Sequence, residues 1–114
     1  MKKKDLIHWE DFDKVDIRIG TVTEAAYFEE TKVPAIKMKI DFGELGELNS
    51  SAQITDKYLP ADLLERQVVA VVNFPPKQIA NMQSQCLVLG AVESNGDVVL
   101  LRPDTEVDNG RPIS

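Results

Sequence analysis

The heptapeptide IKMKIDF at 36–42 sets Ile36, Met38, Ile40 and Phe42 on one side of the chain and Lys37, Lys39 and Asp41 on the other. A repeat of two belongs to a strand with one buried face, and no helix gathers those four apolar side chains on a single face. The same alternation precedes it: Val15, Ile17 and Ile19 interleave with Asp16, Arg18 and Gly20, and Thr21 to Phe28 prolongs the extended run. Gly20, lacking a side chain, is expected where the strand coils or bulges. These two segments commit the N-terminal half to a sheet.

The rest of the chain punctuates itself in the same way. A third strand is predicted over 48–54, with the polar string NSSAQIT along it. Thr55 is the expected cap of a short helix through Tyr58 to Leu64, with Pro60, Ala61 and Asp62 placed as a second start. Residues 68–74 and 86–92 are continuous apolar runs, as in strands buried on both faces. SNGD at 94–97 predicts a tight turn into 98–101. At the start, His8 to Lys14 forms an amphipathic turn with Trp9 and Phe12 three residues apart. Five strands with a short helix between the third and fourth is the order of an OB-fold, a mainly β, five-stranded Greek-key barrel. The expected division is an N-terminal extension at 1–13, the barrel at 14–102 and a C-terminal extension at 103–114 lying over it.

At 114 residues the chain fits one domain, burying roughly two-thirds of its unfolded surface. Its single cysteine, Cys86, has no internal disulfide partner and sits among apolar neighbours, which points to a reducing compartment. The basic start lacks the apolar stretch of a signal peptide, and no run is long enough to span a bilayer, so a cytoplasmic location without membrane insertion is expected. Net charge is −6, which disfavours a protein that grips a polyanion over its whole surface. No Asp or Glu occurs between Arg66 and Glu93, so one face can be neutral while the rest is negative. There is no nucleophile–histidine pair with a supporting context, no glycine-rich phosphate loop and no cysteine–histidine cluster. Catalysis, cofactors and metals are therefore not expected, and the sole histidine, His8, carries neither role.

DIRIGTV at 16–22, SSAQIT at 50–55 and VVAVVNFPPKQIANMQSQCLVLGA at 68–91 resemble the tRNA-binding domain family, OB-folds appended to some aminoacyl-tRNA synthetases or found alone. PAIKMKIDFG, SSAQIT and VVNFPP resemble its stand-alone CsaA type, an export-related chaperone. The resemblance implies an OB barrel, a homodimer built with help from the terminal extensions, and no chemistry. It implies two candidate ligands: unfolded or precursor polypeptides, with a secretion motor as a further partner, or structured tRNA.

In an OB-fold the loop between the fourth and fifth strands borders the ligand face. Here that loop holds Asn73, Phe74, Pro75, Pro76 and Lys77. The prolines fix two dihedrals and remove two donors, presenting Phe74 and Lys77 with little entropy left to lose. Asn73 is expected to brace the turn, and Asn81 to take a left-handed conformation where relatives have glycine. Ser84 and Gln53 add polar groups at the rim. RNA-binding relatives carry several cations in this loop, and only Lys77 remains here, so a shallow salt dependence is expected. Arg18, Lys37 and Lys39, on outward strand positions, are the other candidate contacts. Each has a plainer role open to it: Arg18 pairing with Asp16, the lysines forming a solvated face, Phe74 plugging the barrel end. Trp9 and Phe12 either close the barrel or bury themselves in a second subunit.

Overall fold

The computed structural model describes residues 2–114. In chain order its elements are α1 (Trp9–Asp13), β1 (Ile17–Tyr27), β2 (Ile36–Asp41), a single helical turn at Gly43–Leu45, β3 (Glu47–Ala52), α2 (Pro60–Leu63), β4 (Gln67–Val71), β5 (Lys77–Ile79), β6 (Met82–Ser84), β7 (Leu87–Val88), β8 (Gly90–Val92) and β9 (Val98–Leu100). Five strands form one antiparallel sheet in the order β3, β2, β1, β4, β7. The long β1 serves two partners: residues 17–21 pair with β4 and 21–27 with β2, the register slipping between Val22 and Glu24. One strand that changes partners along its length curls the sheet onto itself. The sheet then nearly closes. Gln85 N–H donates to Asn49 O at 2.8 Å, the Asn49 N–H donates to Gln85 Oε1 at 2.9 Å, and Ser50 Oγ donates to Cys86 O at 2.9 Å. The mainly β OB-type barrel is the architecture that the alternation called for.

The core is the apolar face of that alternation. Ile36, Met38, Ile40 and Phe42 are all buried, against Val22, Leu63 and Val68. Gly20 stands beside the point where β1 passes from one partner to the other, and it has a packing role as well. The bulge falls at Thr23, whereas a Cβ on Gly20 would lie 2.6 Å from Ile40 Cγ2 and 2.7 Å from the Phe42 ring, so the glycine exists to let the strand approach the core.

Other local expectations shift for identifiable reasons. α2 begins at Pro60, not Thr55, because Asp62 accepts the Leu59 N–H at 3.0 Å and stabilises that end. β4 ends at Val71 rather than Phe74: the Val72 N–H still reaches Asp16 O at 2.8 Å, but the Asp16 N–H goes to the Asn73 side chain at 2.9 Å instead of back to the strand. Residues 86–92 are not one buried strand: they divide at Leu89 into β7 and β8, with Leu87 and Val92 exposed. In the SNGD turn only Gly96 takes a positive φ, while the Asn95 side chain holds the Asp97 N–H at 3.0 Å. The tail lies along β1, with Ile19 and Ile17 exchanging main-chain bonds of 2.7–3.0 Å with Gly110, Arg111 and Ile113.

Candidate binding groove

The stretch read as a loop between the fourth and fifth barrel strands folds into a hairpin. β5 and β6 pair Lys77 with Ser84, Gln78 with Gln83 and Ile79 with Met82 around the two-residue turn Ala80–Asn81. Such turns need a positive φ at a central position, and Ala80, not Asn81, supplies it, at 49°. Gln78 secures this corner: its Nε2 donates to Ala80 O at 2.7 Å, and its Oε1 accepts from Gln83 Nε2.

Between this hairpin and the segment 30–35 runs a groove of about 610 Å³. Val33, Ala35, Ile79 and Leu87 give it apolar walls, Ser51 and Gln53 give it polar groups, and its charged lining is Glu30, Lys32 and Lys77. Cys86 lies at its floor, buried, with its thiol 3.8 Å from Asn49 O. Burial pushes that thiol up to about 11 against a hydrogen bond with Ser50 that lowers it, so the group is a neutral, unreactive thiol at ordinary pH.

The sequence-derived candidates separate into groups. Lys77, Ser84 and Gln53 line the groove together. Ser84 also accepts the Ser51 N–H at 3.4 Å and so takes part in closing the barrel. Phe74 is 53% exposed, and Pro75 and Pro76 are exposed beside it, outside the groove lining. Asn73 faces the other way. Its Nδ2 donates to Lys14 O at 2.7 Å and its Oδ1 accepts the Asp16 N–H at 2.9 Å, tying the N-terminal segment to the barrel. Arg18 is occupied, with Nε 2.6 Å from Asp16 Oδ1 and Nη1 donating to Gly110 O at 3.0 Å, and the Asp16 hydrogen bond raises its pKa further. Lys39 pairs with Glu24 at 3.1 Å, which likewise raises its pKa and keeps it charged. The Lys37 ammonium stands 5.4 Å from the Phe28 ring centroid. Lys37 and Lys39 border a smaller cavity of about 240 Å³ with Met38 and Met82, distinct from the groove.

The family described as "Putative tRNA binding domain" matches residues 17–112. The chain belongs to the tRNA-binding-domain family. Among solved structures of this kind, the chaperone CsaA from Bacillus anthracis is 57% identical with a TM-score of 0.92, covering 96% of this chain and 100% of that one. The CsaA chaperone protein from Picrophilus torridus is 49% identical with a TM-score of 0.89 over the same shares. The methionine–tRNA ligase of Methanococcoides burtonii is 33% identical over 110 residues, 96% of this chain but 16% of the ligase. The chain thus spans about a sixth of the length of the curated relatives it matches, whereas it spans the whole of the CsaA chains.

For this tRNA-binding-domain protein, the groove residues overlooked in the sequence include Lys32, Val33, Ile79 and Leu87. Ile79 sits inside the 68–91 motif, so a large apolar side chain following the polar Lys77 and Gln78 was an available signal. Lys32 and Val33 come from a turn more than forty positions earlier, and only barrel closure brings them alongside Lys77.

At the opposite end, Trp9, Phe12, Val15 and Ile113 border a cavity shared by both terminal segments. Trp9 is 89% exposed and the adjoining Leu6 89%, so the extensions turn apolar groups outward from the single chain.

Proposed function

We propose that the protein is a non-catalytic, homodimeric chaperone that binds unfolded or precursor polypeptides in the groove between residues 30–35 and the 77–84 hairpin. The observation that carries this reading is the groove's lining. Apolar walls with one glutamate and two lysines suit a neutral, partly apolar chain and offer little to a run of phosphates. Similarity over the whole chain to proteins titled CsaA chaperones supports it. The negative remainder of the surface favours clients with basic flanks, including export precursors and a secretion motor that receives them. Trp9, Phe12 and the neighbouring leucine and isoleucine side chains form the contact with the second subunit.

The test is suppression of aggregation of a chemically denatured model protein, with Leu87→Ser and Ile79→Ser expected to weaken it. Trp9 is the sole tryptophan, so its emission reports the dimer directly: it should shift to shorter wavelength as concentration rises through the association range, in step with mass by light scattering. A monomer at micromolar concentration with unshifted emission defeats the dimer.

A second reading has its own support, since Lys32 and Lys77 border the same groove and the family is described by tRNA binding. Here tRNA lies along the groove through its backbone. Bulk tRNA retention that falls steeply with salt, with a slope of about −0.7 to −0.9 per phosphate contacted, supports it. Loss on Lys32→Ala with Lys77→Ala would place it in the groove.

A further inference from the structure

Several main-chain groups around the groove are already engaged. On one wall, the Thr31 N–H donates to Phe28 O at 3.3 Å, and Thr31 Oγ1 stands 2.9 Å from Phe28 O and 2.6 Å from Val33 O, sharing its one proton between them. The Phe28 N–H donates to Ala35 O at 2.9 Å, and Pro34 has no N–H. At the floor, Cys86 O receives Ser50 Oγ, the Ser51 N–H faces Ser84 Oγ, and Leu87 pairs with Val71.

The remaining wall is β5, whose outer side belongs to no sheet. A two-residue turn makes Ile79 and Met82 the hydrogen-bonded pair that closes the hairpin, so alternation aims the main-chain groups of Lys77 and Ile79 at β6. Within β5 only Gln78 turns both N–H and C=O to the open side. Pro76, the next position on that edge, has no N–H, and the turn carbonyl of Ala80 is held by Gln78 Nε2. An added strand needs several alternating donors and acceptors in a row, and proline with a short strand is how proteins blunt such an edge. The side chains of Val33, Ile79, Leu87, Lys32 and Gln53 stay open to a ligand.

Resting on the polypeptide reading above, we propose that the groove holds its clients through their apolar side chains and not by strand addition. Its ligand class is then a flexible chain with spaced apolar residues, taken without fixed strand register or direction. The Gln83–Gln78–Ala80 relay and the Thr31 turn keep the groove from becoming a template on which clients could extend a sheet.

Two labelled twelve-residue peptides rich in leucine, alanine and serine test this on the full chain by fluorescence anisotropy, one of them N-methylated at alternate amides. Side-chain capture predicts affinities within fivefold of each other, and at least a tenfold loss for both on Leu87→Ser. Strand addition would forfeit several main-chain hydrogen bonds in the methylated peptide. A methylated peptide weaker by more than fivefold overturns the proposal while leaving the polypeptide reading intact. So does unchanged binding by Leu87→Ser. Binding of neither peptide overturns that reading, and the proposal with it.

Discussion

The side-chain amide of Gln67 pairs with Val107 as a neighbouring strand would: Nε2 donates to Val107 O at 2.7 Å and Oε1 accepts the Val107 N–H at 3.1 Å. Gln67 also reaches Asn109 Oδ1, and Asn109 Oδ1 accepts from Thr21 Oγ1 at 2.7 Å. One glutamine in the first position of β4 thus fixes where the C-terminal segment meets the barrel. Gln67→Ala should lower stability by about 1–2 kcal/mol. Amide exchange checks the cause: protection should fall over residues 107–113, and β4 should keep its own.

Gly20 faces Ile40 and Phe42, both fully buried, and a methyl group there would stand under 3 Å from each. Both neighbours are packed within the core, so Gly20→Ala is expected to destabilise by about 1–3 kcal/mol through overpacking. Urea unfolding measures it. A paired Phe42→Leu change should recover part of the loss, since it removes the ring atoms in contact.

Ala80 holds a φ of 49°, which an L side chain adopts at a cost of about 1–2 kcal/mol. Glycine lacks that cost but loses more freedom on folding. Ala80→Gly should therefore raise stability by roughly 0.5–1 kcal/mol, seen as a small rise in melting temperature. Asn81→Gly should not, because position 81 has an ordinary φ.

Cys86 couples stability to alkaline pH. Its thiol rises from 9.0 to about 11, with burial the larger cause, so in this window the unfolded chain loses the proton while the folded chain keeps it. The contribution is intact below pH 9 and disappears as pH climbs toward 11, amounting to about 2–3 kcal/mol at the end of that range. Chemical denaturation of the protein and of Cys86→Ala across this range should show a shallower decline in the variant. Thiol modification at pH 8 should be slow in the folded protein and fast in urea.

Strand identity was legible because burial imposes a period of two on the residues themselves, and Ile36 to Phe42 needed no partner to reveal their face. α1 was legible from the spacing of Trp9 and Phe12, and the second start at Pro60 from Pro60 to Asp62, where Asp62 accepts the Leu59 N–H, a contact that stays local. The limits of 68–74 and 86–92 were not legible, since apolar content does not record which neighbour a strand leaves or where. The 77–84 hairpin went unseen because its turn rests on a strained alanine, a residue without turn chemistry.

The candidate site divides along the same line. Lys77 and Ser84, candidates from their loop, and Gln53, a candidate from its strand, line the groove. For Arg18 the sequence offered Asp16 as a partner and for Asn73 its own turn, yet Gly110 and Lys14, 92 and 59 positions away, engage them as well. From its own order of residues this chain determined a barrel of alternating strands, a mostly negative exterior and a proline-stiffened corner, because each depends on neighbours within a few positions. Only the folded barrel decided which polar side chains are consumed and which face the groove, because hydrogen bonds to residues far along the chain form only once closure brings those residues into reach.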